Sequence, residues 1–409
     1  MKTLFFPFAP SLAHLTRCLS LAETLQGLNH ECLFAVGPEG KSLVEKAGYV
    51  TRCVPEVESA VFKNSRGWGW LNENYFTANL EAELSIIDEF KPDRLVFDFR
   101  FTSALAARIK SIPSISLMHG NSVSLILDPM QTATELITAG NRAGPLSVKN
   151  RIFQYLFPKF FCHFIRTPVN RIKPLLRKYG MTDARTVFDL MRGDVNLVAD
   201  IPEFIPEWIR LPENYIITGP LLWSGWDNLN YIPFKGIFTR PLIYITMGST
   251  VEPGSTLSKL IDSLKDLPFD FIMTMGKEIA EFAAVPSNFH IYPFVPGKKI
   301  AAKSALVICH GSHETMMQVT ASGTPSLLIP VNPDQVMVAW QVQRLGIGSC
   351  LNRPGSFPMN RDPLKTYSGV EIVKKVSRLV DDMECRQKCL EIKKSVTGFI
   401  ENKEYLKFF

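Results

Sequence analysis

The sequence predicts an α/β fold of two Rossmann-like, doubly wound domains, and three observations carry that reading. Strand-like apolar runs alternate with amphipathic runs along the whole chain, which is the pattern of parallel sheets covered by helices. The alternation stops at an irregular stretch, 221–241, rich in Pro, Gly, Trp and Asn, and then restarts. The chain has 409 residues, 46% of them hydrophobic and 21% charged, enough for two separate cores.

In the first half the predicted strands are 3–9, 31–37, 49–55, 94–99, 114–120 and 195–202, with helices over 14–28, 41–48, 76–91 and 102–110. The first helix is the best patterned: Leu15, Cys18, Leu19, Ala22 and Leu25 share one face, and the Gly27 to Asn29 region stops it. Beyond the linker, strands at 242–248, 269–276, 289–295, 305–309 and 326–330 alternate with helices near 256–265, 315–321 and 336–346. A helical tail follows from 369 to about 402. The expected organisation is therefore an N-terminal domain over 1–220, a linker over 221–241, a C-terminal domain over 242–385 and a final helix, 386–409, packing back on the N-terminal domain. Two such domains are expected to face a central cleft with the carboxyl ends of their strands, so chemistry is sought just after strands.

Composition excludes several classes. Forty-five basic against thirty-nine acidic residues leave a net charge of +6, too little for a dedicated nucleic-acid binder. No apolar run reaches the length of a membrane span and the first residues carry no signal-peptide pattern, so a cytoplasmic chain is expected. Eight scattered cysteines read as free thiols, and Cys385 with Cys389 lacks a second pair to complete a zinc site.

The most informative stretch runs from Phe294-Val295-Pro296 through an apolar strand into His310-Gly311-Ser312-His313-Glu314-Thr315, then Gly323-Thr324-Pro325, and ends at Pro330-Val331-Asn332-Pro333-Asp334-Gln335. A strand delivers His310 and Gly311 at its end and a helix is expected to open near Glu314 or Thr315. The exposed N–H groups of a helix start suit a phosphate, and a glycine lets it approach. A second such turn, Gly248-Ser249-Thr250, follows the strand at 242–247, and two phosphate-friendly turns in one domain suit a diphosphate. Asp334 beside Gln335 suits sugar hydroxyls.

This order of motifs resembles the donor-binding signature of the family-1 nucleotide-diphospho-sugar glycosyltransferases, which have the GT-B fold. The opening is similar to the same family: Phe8-Ala9-Pro10 to His14-Leu15, then Leu19 to Leu25, with Asn29-His30-Glu31 before the second strand. So is Lys91-Pro92-Asp93 to Asp98, followed by Ala104 to Arg108 and Ile112-Pro113. The resemblance implies that His14 is a general base for the acceptor hydroxyl and that Asp98 holds its other ring nitrogen. It further implies that His310 and the amides from Gly311 through Ser312 and Glu314 to Thr315 hold the diphosphate, with Ser249 and Thr250 assisting. Gln318 falls at the ribose position, Asp334 and Gln335 at the donor sugar, and Phe294 with Val295 near the nucleobase.

The implied reaction is inverting transfer of a sugar from a UDP- or dTDP-sugar to a hydroxyl of a hydrophobic small molecule or lipid. It needs no cofactor beyond the nucleotide sugar as co-substrate, and the absence of any Asp-x-Asp pair fits a metal-independent route. Gln318, where glutamate is more usual, leans toward a deoxyribose donor. Two other readings keep the fold: a sugar-nucleotide epimerase, or a non-catalytic partner of a transferase, which the turn Ser312-His313-Glu314 favours. Taken singly, His14 and Asp98 could be a satisfied polar residue and a helix cap; His30, His119, His163 and His290 read as ordinary polar residues. Ser249 and Thr250 could be turn chemistry, Asp334 a cap, Gln318 a solvated helix position and Phe294 core.

From 136 to 182 there is no acidic residue, while Arg142, Lys149, Arg151, Lys159, Arg166, Arg171, Lys173, Arg177 and Lys178 supply nine positive charges. Phe153, Tyr155, Phe157, Phe160, Phe161 and Phe164 are interleaved. The segment 142–178 reads either as a peripheral membrane contact or as an acceptor-side insertion with aromatics in the core and charges solvated.

Overall fold

The first strand, β1 (Lys2–Pro7), is apolar on both faces, as a strand inside a parallel sheet must be. Leu4 and Phe6 enter one core and Phe5 the other, following the two-residue period of a strand. The computed structural model describes residues 1–58, 61–62, 68–139, 148–225, 238, 240–248, 254–274, 285–351, 364–365 and 367–409.

The chain divides into two units. The first comprises Met1–Ala133, Leu156–Gly225 and Asn402–Phe409. After β1 come α1 (Leu12–Gln26), β2 (Glu31–Val36), α2 (Pro38–Lys46), β3 (Val50–Cys53), α3 (Glu73–Phe90), β4 (Arg94–Asp98), α4 (Ser103–Lys110), β5 (Ser114–Met118), α5 (Gly120–Leu127) and α6 (Pro129–Ala139). The long α7 (Val148–Lys178), β6 (Val195–Val198) and β7 (Tyr215–Ile217) follow, with α6 from Thr134 and α7 up to Tyr155 grouped with the second unit. All pairings are parallel and the strand order is β3-β2-β1-β4-β5-β6-β7. The sheet reverses direction of growth between β1 and β4, whose register sets Pro7 opposite Asp98. That reversal opens a crevice at the carboxyl ends of these two strands.

Local signals explain where the helices stop and start. The Asn72 side chain accepts from Tyr75 N–H at 3.0 Å to cap α3, which ends on left-handed Lys91 before Pro92. Helix α1 runs two residues earlier at each end than expected, and the left-handed residue after it is Asn29, not Gly27. Helix α7 accounts for the basic, aromatic segment from 148 to 178 and carries Pro158, Pro168 and Pro174 inside it. The short β7 was not expected.

The second unit comprises Thr134–Tyr155 and Trp226–Glu401. It contains β8 (Leu242–Thr246), α8 (Gly254–Leu264), β9 (Asp270–Thr274), β10 (Phe289–Tyr292), α9 (Gly297–Ala301), β11 (Leu306–Cys309), α10 (His313–Ser322), β12 (Ser326–Leu328), α11 (Pro333–Arg344) and β13 (Gly348–Cys350). Its sheet is parallel in the order β10-β9-β8-β11-β12-β13, so the reversal lies between β8 and β11. The tail forms α12 (Gly369–Asp381), started by a Ser368/Glu371 capping box, and α13 (Met383–Asn402). Helix α13 runs without a break through the 385/386 boundary drawn from the sequence, and only the residues from Asn402 onward belong to the first unit. There Tyr405 is buried in the core beside α1, and the Arg94 guanidinium lies over the Phe409 ring at 5.5 Å.

Candidate active site

In the first unit the crevice between β1 and β4 holds the expected pair. His14 stands in the first turn of α1, and Asp98 is the last residue of β4, 1% exposed. His14 Nδ1 and Asp98 Oδ1 are 2.7 Å apart. Burial alone would raise the Asp98 carboxyl, but the Arg17 guanidinium and His14 outweigh it and hold the group at about 2. An ionised carboxylate only accepts, so in the tautomer with the proton on Nδ1 the ring donates to Asp98 and leaves Nε2 as the basic nitrogen.

Phe99, immediately after Asp98, has φ +54, a left-handed backbone that a bulky residue adopts at a cost of order ~1 kcal/mol. The conformation turns its ring under His14, with centroids 4.8 Å apart and planes within 15°. Phe8 meets the same imidazole edge-on at 6.1 Å. Phe62 and Trp70, from the stretch between β3 and α3, continue this surface: Phe62 lies 5.0 Å from Phe8, and Trp70 5.7 Å from Phe101. The sequence reading did not anticipate this contiguous aromatic wall.

Two further groups were missed. Arg17, one turn beyond His14 on α1, is 2% exposed; its Nε donates to Asp98 Oδ2 at 2.8 Å and its Nη2 to Oδ1 at 3.0 Å. The available signal was the three-residue spacing from His14 on a helix. Arg100 is equally buried and donates to Glu83 Oε1 at 2.8 Å, Asn79 Oδ1 at 2.8 Å and Glu56 Oε1 at 3.3 Å. Glu56 also accepts from the amides of Ala9 at 2.9 Å and Gly37 at 3.0 Å, tying together the loops after β1 and β2.

In the second unit the crevice between β8 and β11 holds the other constellation. His310 follows β11 and is 3% exposed; burial, against the Thr246 backbone and Asp334, pushes it down to about 4, so the ring is neutral near pH 7. Its Nδ1 is buried without a hydrogen-bond partner among the described residues. Gly248, at φ +63 after β8, packs on this ring, and a Cβ there would sit 2.6 Å from His310 Cε1. Gly311, at φ +84, lies under Leu328, where a Cβ would meet Cδ2 at 2.7 Å. Ser249 and Thr250 lie outside the described residues.

Helix α10 opens at His313, one to two residues before the expected start, because Ser312 is its N-cap. The Ser312 hydroxyl donates to Thr315 Oγ1 at 2.9 Å and makes no side-chain cap to a backbone amide. Glu314 stands in the first turn, half-buried, with Gln318 Nε2 at 3.5 Å from its Oε1, so this carboxylate keeps company with the predicted ribose residue. Gln318 Oε1 reaches toward Gly297, just after half-buried Phe294 and buried Val295. The cap of α11 is Asn332, which accepts from Gln335 N–H at 2.9 Å, so Asp334 is not the cap. The Gln335 carboxamide oxygen accepts from Val331 N–H at 2.8 Å and so is used within the turn. Among the described residues, His14 and Asp98 meet at the first unit's crevice, and His310 stands with Gly248, Gly311 and the charge of Asp334 at the second's.

The profile of the glycosyltransferase family 28 C-terminal domain matches residues 260–351. A PGL/p-HBAD biosynthesis glycosyltransferase of Mycobacterium tuberculosis is 29% identical over 366 residues, 86% of this chain and 80% of that one. A PGL/p-HBAD biosynthesis rhamnosyltransferase of Mycobacterium bovis is 28% identical over 378 residues, 86% of this chain and 76% of that one. Among solved structures, the calicheamicin glycosyltransferase superposes with a TM-score of 0.70 at 18% identity, covering 98% of this chain and 94% of that one. The spinosyn rhamnosyltransferase complexed with spinosyn aglycone gives 0.69 at 18% identity, covering 100% and 99%. At such identity the structural likeness speaks to the fold, and the fold is GT-B.

Proposed function

We propose that this chain, a glycosyltransferase of the GT-B fold with the family-1 order of motifs, transfers a sugar with inversion and without a metal from a dTDP- or UDP-sugar to a hydroxyl of a hydrophobic acceptor. The observation that carries this reading is the His14–Asp98 contact of 2.7 Å at the carboxyl end of the first sheet. His14 Nε2 would take the acceptor's proton while the acceptor oxygen bonds to the anomeric carbon, and Asp98 would steady the imidazolium. The bond from that carbon to the diphosphate breaks on the opposite side, so one displacement inverts the centre. The departing diphosphate gains negative charge. The first amides of α10, and the single N–H that the neutral His310 ring carries, would meet it without reorganising. Asp334 is proposed for the sugar, Gln318 for the ribose, and Phe294 with Val295 for the base.

A solved relative of this fold, the same spinosyn enzyme, is described in complex with thymidine diphosphate, which together with Gln318 supports a dTDP donor. Rhamnosyltransferases occur among both the mycobacterial relatives and the structural neighbours, so a rhamnosyl donor is the first to assay. Calorimetric titration with dTDP and UDP tests the donor side. His310→Ala is expected to weaken the preferred nucleotide by at least ~10-fold, the range for losing a charge-assisted hydrogen bond. Unchanged affinity would remove His310 from the diphosphate. Glu314 in the first turn of α10 keeps the auxiliary reading in view: absence of binding to either nucleotide would favour it, and binding with isomerisation but no transfer would favour an epimerase.

We also read α7 as a peripheral contact with anionic lipid. Among its described residues the inward stripe Cys162, Ile165, Val169, Ile172 and Leu176 is buried, while Leu156 and Phe160 point outward at 52% and 66% exposure. Phe161 and Phe164 pack on the core, as the alternative reading required, but Phe160 does not. No helix among the described residues is long and apolar enough to cross a membrane. Co-sedimentation with phosphatidylserine vesicles at low salt, lost at high salt and weakened in Phe160→Ser, is expected. Equal recovery with neutral and anionic vesicles would overturn the lipid contact.

A further inference from the structure

Among groups that the proposed reaction leaves without a task, Arg17 makes the closest approach to reacting atoms. It is 2% exposed although it lies on the first helix turn beyond His14, and nothing in the proposed chemistry requires a cation there. Its fork grips both oxygens of Asp98, and its Nη2 also comes within 2.7 Å of His14 Nδ1. In the tautomer that the proposed base requires, Nδ1 points its proton at Asp98, so Arg17, which has only donors, does not bond to it. The approach is therefore one of positive charge against the ring.

We infer that Arg17 is a positioning residue with two effects on the same pair: it locks the Asp98 carboxylate in register with Nδ1, and it keeps His14 in the neutral, proton-accepting form. A carboxylate at this distance favours the charged ring and raises its midpoint, and an imidazolium accepts no proton. With the guanidinium in place the Asp98 charge is partly answered, so a proton on the resting ring gains less, while the carboxylate still steadies the imidazolium that forms in the reaction. The base then stays available near neutrality and becomes imidazolium only as the acceptor hydroxyl gives up its proton to Nε2. This deepens the assignment of His14 as base and rests on it.

Among the described residues, the other groups that pack near His14 and Asp98 have tasks of their own. Phe8 and Phe99 are uncharged. Cys18, beside Arg17, is pushed well up by burial first and by Asp98, and stays protonated. Glu56, Glu83 and Arg100, from the loops after β3 and β4 and from α3, bind one another and nearby amides.

The test is the titration of the His14 imidazole by histidine-labelled NMR, with His14→Ala identifying its signal, in the wild type, Arg17→Gln and Arg17→Lys. In the wild type the ring is expected to be neutral at pH 7. In Arg17→Gln its midpoint should move up by about one to three pH units, the effect of a close like charge removed. The acid limb of kcat/KM should move with it, giving a ~10-fold deficit at pH 7 that is recovered by pH 9. Arg17→Lys keeps the charge but not the fork, so its midpoint should stay near the wild type while kcat falls at every pH. A wild-type ring already protonated at pH 7, or a loss in Arg17→Gln that does not vary with pH, overturns the inference, and the first of these needs no variant to fold. The NMR readout does not depend on turnover. Failure of the base assignment shows separately, as an active His14→Ala.

Discussion

His14→Ala is expected to lower kcat by about 10²–10⁴, the usual share of a general base, while dTDP or UDP affinity stays within about twofold. The split follows from where the residues stand. His14 and Asp98 belong to the first unit's crevice, whereas His310, Gly311 and the start of α10 belong to the second. The truncation should also be tolerated by the fold, since Asp98 keeps both bonds to Arg17 when the imidazole is gone. Asp98 stays ionised at any assay pH, being held at about 2, so the acid limb of the profile belongs to the imidazole. The sign of the linkage is that of a depressed carboxyl: its contribution to stability is present above its ordinary value near 3.8 and is lost as pH falls through about 2. Initial rates with a rhamnosyl or glucosyl donor, together with nucleotide titration on the same preparation, check both halves. A wild-type rate would remove His14 from catalysis, and a parallel loss of nucleotide affinity would mean the substitution disturbs more than the base.

The residues legible in the sequence share one property. Asp98 ends a buried parallel strand and His14, His310 and Gly311 come after one, and a run such as Leu306–Cys309 announces its own end by turning polar. The doubly wound order of both sheets was legible for the same reason, because long apolar strands alternate with patterned helices. The residues that escaped are those whose partner lies far along the chain. Arg17 sits in the polar gaps of an amphipathic helix, where a cation is ordinarily solvated, and Asp98, 81 positions later, answers its charge inside the fold. The prolines of α7 interrupt its helical signal, yet the buried stripe from Cys162 to Leu176 keeps the helix going. The three-residue strands β7 and β13 are too short to show a period. Asn332, not Asp334, caps α11 because Pro333 takes the first helical position and fixes the cap one residue earlier.

Arg100→Met is expected to cost about 3–5 kcal/mol of the first unit's stability, the range for removing one partner from a buried ion cluster. Arg100 answers two carboxylates at once: Glu83, fully buried, whose Oε1 takes Arg100 and the Thr102 hydroxyl, and Glu56, which binds the amides of Ala9 and Gly37. Without the guanidinium both remain buried with amides and hydroxyls as their only compensation. Burial already pushes Glu56 up and Arg100 pulls it back, so the variant's Glu56 should rise further. A carboxyl raised above its unfolded value destabilises as pH climbs through that raised value, so the variant's deficit should shrink between pH 8 and pH 5. Function should fall with it. The loop from Phe99 to Thr102 carries the ring under His14 and is anchored by Arg100 and Thr102, so kcat should drop even at temperatures where the variant is folded. Calorimetric melting at both pH values measures the effect, and replacing Arg100 and Glu83 together by apolar residues of similar volume should recover much of the loss. A melting temperature within 2 °C of the wild type at pH 8, on the order of 1 kcal/mol or less, would mean that solvent reaches these carboxylates and that the loop beneath His14 is held by packing alone.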